Sequence, residues 1–240
     1  MKKMTAYVLA GVLTLGCAAT AFGAEKITGT VTVRDAAVTQ PLYGDALGTK
    51  LVPVREVSDL LGYMVAWDKT TRSVTVSDGS TTVGFAAGKD AYTVGGSTKT
   101  LGAVPELIDG VQYVPVEVFS AFFPVAIQTK AGQTTLTDLK GADVEQISGT
   151  VVEAAQYNLV LRLADGTLRL FAKNQTDMTL AGSLAKDSPV TVYYNTADAK
   201  TALKLVQVSA ETEKPAETAP AESQPDNGAE TETDSGNRSE

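Results

Sequence analysis

One phrase is written twice in this chain, and it limits the fold more than any other feature. "LVPVREVSDLLGYMVAWD" starts at Leu51, and "YVPVEVFSAFFPVAIQTK" starts at Tyr113. Each copy opens with apolar residues that read as a strand end, followed by Val-Pro-Val. Proline has no N–H to donate, which costs nothing in the first turn of a helix. In the first copy Val54, Val57, Leu60 and Leu61 recur at helical spacing. In the second copy Val116, Phe119, Phe122 and Phe123 form the matching stripe. Gly62 ends the first run and Pro124 the second, both breakers but for different physical reasons. Helices this short do not persist alone in water, so each stripe is expected to face a sheet.

Strand patterns follow each helix. "MVAWD", the turn "KTTR" and "SVTVS" follow the first; "VAIQT", "KAGQ" and "TTLTD" follow the second. Between the copies, "AYTVGGSTKTL" reads as a hairpin on Gly95-Gly96 and "LIDGVQYV" as one on Asp109-Gly110. The expected fold class is α+β. It comprises an antiparallel sheet with two short helices, a duplicated strand-helix-strand unit, followed by a small all-β barrel of OB or SH3 type.

The stretches "LVPVREVSDLLGYMVAWDKTTRSVTVSDG", "GKDAYTVGGSTKTL" and "PELIDGVQYVPVEVFSAFF" resemble the copper amine oxidase N-terminal-like domain, over about residues 27–139. That family's pattern is a Val-Pro-hydrophobic-Arg helix ending in Gly, a Trp-Asp strand, and a second such helix. Pro53, Arg55, Gly62, Trp67, Pro115 and Phe119 fit it as structural motif residues. Glu117 stands where the second arginine is usual, Pro124 replaces a glycine, and the opening hairpin lacks an Asn-Gly turn. The resemblance implies a non-catalytic stalk domain of exported bacterial proteins. Arg55 is expected to be a partly buried donor and Trp67 a core plate, with a ligand contact as the other reading of Trp67. The family's copper belongs to a separate catalytic domain, so the resemblance implies no cofactor and no metal here.

From about residue 144 the pattern becomes a meander. "ISGTVVEAAQYNLVLRLADGTLRLFA", "SPVTVYYN" and "ALKLVQV" supply five strands for a barrel over residues 144–209. Tyr157, Phe171, Tyr193 and Tyr194 could line a binding platform, although burial of at least half these rings is the simpler expectation.

The address is written at the ends. "MKKMTAYVLAGVLTLGCAATAFGAEK" has a basic start, a short apolar run and small residues before Ala24, which is the pattern of a secretory signal over residues 1–23. The run is short for a membrane anchor, and no transmembrane segment is expected after signal removal. Lipid anchoring through Cys17 is the weaker reading, since Leu15 and Thr14 do not match the usual order before a lipidated cysteine. Beyond Ala210 nine acidic residues stand against Lys214 and Arg238, without one Val, Ile, Leu, Met or aromatic residue. Residues 210–240 therefore read as a disordered acidic tail.

Composition removes several chemistries. The net charge of −8 lies mostly in that tail, leaving the span between the ends close to neutral, so nucleic acid is not an expected partner. The chain has no histidine, and its one cysteine is Cys17. Ser-His and Cys-His catalysis and the usual copper and zinc ligands are thereby absent. The acids Asp59, Asp68, Asp78, Glu106, Asp109 and Glu117 mostly occupy turn or solvated positions. The expected function is an exported, non-catalytic binding or scaffolding protein of the bacterial cell envelope. It would touch an envelope protein or wall polysaccharide through its surface. The alternative is a glycan-acting enzyme or accessory domain using paired carboxylates such as Glu106 and Glu117.

Overall fold

A computed structural model describes residues 23–208. The leader through residue 22, Cys17 included, and the tail beyond residue 208 lie outside the described residues. Strands β1 (Glu25–Ile27), β2 (Thr30–Val33), β3 (Ala36–Ala37), β4 (Leu42–Gly44) and β5 (Lys50–Pro53) lead into helix α1 (Val54–Leu61). Then come β6 (Met64–Asp68), β7 (Ser73–Ser77), β8 (Thr82–Phe85), β9 (Tyr92–Val94) and β10 (Ser97–Lys99). β11 (Glu106–Ile108) and β12 (Val111–Pro115) precede α2 (Glu117–Phe122), which is followed by β13 (Val125–Lys130) and β14 (Gln133–Asp138). The last part contains β15 (Val144–Ala154), β16 (Asn158–Arg162), β17 (Leu168–Ala172), β18 (Asp177–Leu180), β19 (Pro189–Asn195) and β20 (Asp198–Gln207).

The α+β expectation is wrong. The described residues are mostly β, with 53% in strands against 8% in helices, arranged in several sheets. The two Val-Pro stretches do meet: β5 pairs antiparallel with β12, which sets Pro53 opposite Tyr113 and Pro115 opposite Leu51. After that the copies part. The strands after α1 join the sheet ordered β10-β9-β8-β7-β6, whereas those after α2 join β13-β14-β2-β3. In the latter, β14 pairs parallel with β2. A repeat in sequence thus does not become two equal strand-helix units on one shared sheet.

Local chemistry explains where the helices stop. Gly62 adopts φ 80°, and the N–H groups of Gly62 and Tyr63 donate to the Asp59 and Ser58 carbonyls. A left-handed residue closes a helix this way, and glycine does so without a Cβ clash. α2 ends differently. Phe123 precedes Pro124 and is extended, at φ −123° and ψ 161°, because the proline ring crowds a helical predecessor. The result is a helix of only six residues.

The core of the first part draws on every element around the helices. Val54, Val57 and Leu61 of α1 and Phe119 of α2 pack with Val52, Val74, Val76, Phe85, Tyr92 and Val114. In the last part, β15, β16, β17, β20 and β19 pair in a ring, with β18 laid alongside β20. Its centre is Val151, Leu159, Leu161, Phe171, Val192 and Leu205. β18 was not foreseen in the sequence. A small seam of Ala126, Leu139 and Leu203, backed by Val144 and Tyr193, connects the two cores.

The β13–β14 turn gives a test of local strain. Ala131 and Gly132 sit at φ 49° and φ 84°, the geometry of a type I′ turn that favours Asn-Gly. Alanine carries a left-handed penalty of about 1–2 kcal/mol that asparagine partly relieves. Ala131→Asn is expected to raise stability by ~0.5–1 kcal/mol, read as a higher midpoint in urea unfolding. An unchanged or lower midpoint would show the turn relaxed in another way.

Candidate functional site

A groove runs between two sheet edges. β6 ends one five-stranded sheet and β11 ends the other. An edge strand leaves a row of backbone N–H and C=O groups without ladder partners. Between the edges lies a hollow of about 470 Å³ whose walls include Val65, Ala66 and Trp67 from β6, Leu107 from β11, and Arg55 from α1. A second hollow, of about 610 Å³, adjoins it and shares Trp67, Leu107 and Gln112. Trp67 is 47% exposed and Leu107 60% exposed, large apolar surface to leave in water. The Gln112 amide donates to the Glu106 and Tyr113 carbonyls, which fixes that wall.

The charged side chains lining the groove are all cationic. Arg55 lines the first hollow, and Lys69, Arg72 and Lys89 line the second; among the described residues no carboxylate lines either. Asp68 lies close in sequence, but its carboxylate caps the β6–β7 turn, accepting from the Thr70 and Thr71 N–H groups at 2.7 and 3.3 Å.

Glu56 fixes the opposite rim. Its carboxylate accepts from the Thr39 N–H at 2.7 Å, the Thr39 hydroxyl at 2.6 Å and the Gln40 N–H at 3.1 Å. Gln40 itself lines the groove. Partial burial pushes the Glu56 carboxyl up, but the Thr39 and Gln40 hydrogen bonds outweigh it and hold the group below its usual range. A depressed carboxylate stabilises the fold above the unfolded-chain value, near 4.5, and that contribution is lost as pH falls through the folded value. Glu56→Ala should therefore cost about 1 kcal/mol at neutral pH, an amount kept small by solvent screening. Below about pH 4 the parent and the variant should converge. Urea midpoints taken from pH 7 down to about pH 3 check this, and a gap that persists in acid would contradict it.

The other residues marked in the sequence fall into distinct places. Pro53 and Pro115 are buried on paired strands, and Phe119 is fully buried. Gly62 is the left-handed helix end described above. Arg55 was expected to be a partly buried donor; it is exposed on the groove side of α1. Trp67 was expected to be a core plate; it is half in water because β6 has no neighbour beyond it. Glu117 is exposed at the start of α2. The tyrosines do not assemble into one platform. Tyr157 is 57% exposed, Tyr193 packs at the seam, and Tyr194 lies in the barrel core against Phe171 at 5.7 Å. Tyr194 donates to Glu145 at 2.7 Å, and the Arg169 guanidinium sits 4.5 Å from its ring centre.

Three of the six candidate acids, Asp68, Asp78 and Glu106, use their carboxylates in structural hydrogen bonds. Asp78 accepts from the Thr81 and Ser80 N–H groups and pairs with Lys140 at 2.9 Å. Glu106 accepts from the Ala24 N–H at 3.4 Å; Asp109 sits at φ 50° in the β11–β12 turn, and Asp59 is exposed on α1 with only its backbone carbonyl at the helix end. Neither Glu106 nor Glu117 lines the groove. The chain has no histidine, and no group of three metal-ligating side chains forms among the described residues, so its donors do not suit copper. No helix among those residues is long and apolar enough to cross a membrane.

A buried ion pair sits at the seam. Lys204 is 1% exposed and Asp177 5% exposed, with the ammonium 3.8 Å from the carboxylate. Lys204 donates to the Ser120 and Val125 carbonyls, and Asp177 accepts from the Ile127 N–H at 2.9 Å. The only hint lay in "ALKLV", where a lysine interrupts a strand buried on both sides of it.

A Val-Pro strand runs into a glycine-ended helix, followed by a Trp-Asp edge strand. Residues 31–137 match the copper amine oxidase N-terminal domain. The copper amine oxidase N-terminal domain is stalk-like and non-catalytic in itself. A protein named "Protease inhibitor" from Brevibacillus choshinensis is 33% identical over 104 residues, which are 43% of this chain and 32% of that protein. The chain thus spans about a third of the length of the curated relative it matches.

Proposed function

We propose that this chain is an exported, non-catalytic binding or scaffolding protein of the bacterial cell envelope, and that it holds a partner protein by surface contact. The groove between β6 and β11 carries this reading, because it joins open strand edges to exposed Trp67 and Leu107. Such edges recruit extended segments by backbone pairing, while neighbouring pockets sort the side chains. The stalk-like character of the copper amine oxidase N-terminal domain supports contact over catalysis. The carboxylates of Asp68 and Asp78 are engaged in turns, and neither Glu106 nor Glu117 lines the groove.

The relative's name favours a narrower version in which the partner is a protease. An extended segment held at a strand edge is what such a complex would need. The test of the general reading is retention of the full exported chain on intact envelope protein and on purified wall polysaccharide, beside its Trp67→Ala variant. Retention on the protein fraction that Trp67→Ala weakens supports it. Retention on polysaccharide alone, or retention indifferent to Trp67, overturns it. Titration of secreted bacterial proteases with the chain then decides the narrower version.

A further inference from the structure

We infer that the groove takes an extended, acidic polypeptide segment, which adds as a strand along the free edge of β6. This rests on the binding function proposed above and names the class of partner.

Three features of the groove lead to that occupant. The first is the edge itself. Proteins blunt exposed strand edges by keeping them short, polar or charged. At the far end of the same sheet, β10 follows that rule, with three exposed residues, Ser97, Thr98 and Lys99. β6 departs from it. It has five residues, and Met64 is 68% and Trp67 47% exposed. An unblunted apolar edge has the form of a template for another strand.

The second feature is charge. Arg55, Lys69, Arg72 and Lys89 surround the two hollows without a facing carboxylate, in a chain whose net charge is −8. Complementary charge steers encounter and fixes register. Asp68 is committed to its own turn, Glu56 to Thr39 and Gln40, and Glu106 to the Ala24 N–H. The third feature is the alternation of strand side chains. Val65 and Trp67 share one face of β6, opposite Val76 and Val74 of β7, and Ala66 between them also borders the hollow. An added strand that alternates apolar and acidic residues would set one row against Trp67 and Leu107 and offer the other to the cationic rim. A sugar polymer has no amide ladder with which to use the edge.

Trp67 is the chain's single tryptophan, so its emission reports the groove alone. The full chain is titrated with a blocked synthetic peptide alternating glutamate and valine, and separately with its lysine–valine counterpart. Amide hydrogen exchange is followed in both mixtures. The expected result is a saturable shift of Trp67 emission with the acidic peptide only, together with slowed exchange along Val65–Asp68. Raising salt weakens it, since exposed charges are screened beyond ~10 Å at 0.1 M. Lys69→Glu combined with Lys89→Glu, both at exposed positions, should weaken binding about tenfold with an unchanged unfolding midpoint. Equal response to both peptides, protection away from β6, or a shift produced by wall polysaccharide instead overturns the inference. If envelope protein is retained through Trp67 while the acidic peptide is ignored, this inference alone fails. If neither is bound, the binding function fails with it.

Discussion

Lys204→Ala is expected to destabilise the chain by about 3–5 kcal/mol, the range for breaking a buried ion pair from one side. The ammonium lies 3.8 Å from Asp177 and is the donor to the Ser120 and Val125 carbonyls. Alanine leaves those carbonyls unpaired and a carboxylate that is only 5% exposed without its cation. Asp177 keeps the Ile127 and Thr179 N–H groups, both at 2.9 Å, so it remains anchored but uncompensated. Lys204→Met with Asp177→Asn should recover at least ~1 kcal/mol over Lys204→Met alone, because the pair leaves together. Urea unfolding of the three variants measures this. If the double variant is no better than the single one, the charge pairing is not what the seam depends on.

The same lysine makes a pH prediction. Burial pushes its pKa below the ordinary lysine range, and Asp177 only partly draws it back. A lysine depressed on folding costs stability at neutral pH. The cost disappears as pH rises from the folded value towards the unfolded value near 10.5, so stability due to this group climbs with pH. Tyr63 and Tyr92 act in the opposite sense, since burial raises both above the usual 10.0. The difference between the parent and Lys204→Met isolates the lysine, and the parent's advantage should widen as pH rises towards the unfolded value near 10.5.

Turn chemistry was legible in the sequence wherever a residue type demands a backbone shape. Gly62 announces a helix end, and Gly95-Gly96 and Asp109-Gly110 sit at the positive φ that their hairpins require. Strand partners were not legible. β14 reaches back across the chain to lie parallel to β2, and no local pattern records such a pairing. This is why the doubled phrase suggested a shared sheet and a balance of helix and strand that the protein lacks. Alternation also cannot separate an edge strand from an inner one. Trp67 alternates properly with its neighbours and was read as core, but β6 has water on its open side. Lys204 was missed for the converse reason. A lysine in a strand reads as the solvent face, unless a second body covers that face.

Phe119→Ala should cost about 3–5 kcal/mol, comparable to losing Lys204, though by a different mechanism. The ring is fully buried and stands 6.3 Å from Phe123, within the cluster that also holds Val57, Phe85 and Val114. Phe85 and Val114 come from strands in two different sheets, so they have little freedom to collapse into the space. A loss near ~1 kcal/mol in urea unfolding would show that the site closes up after all. Phe119→Leu keeps most of the volume and should cost under ~1.5 kcal/mol. Ser120, next in the chain, gives its carbonyl to Lys204. α2 has six residues and no side-chain cap, so its hold depends on Phe119 below and the lysine beside it. The two losses should therefore not add: Phe119→Ala with Lys204→Ala should fall short of the sum by at least ~0.5 kcal/mol. Strict additivity would mean that α2 holds its place when either support is removed, and that the two cores are joined elsewhere along the seam.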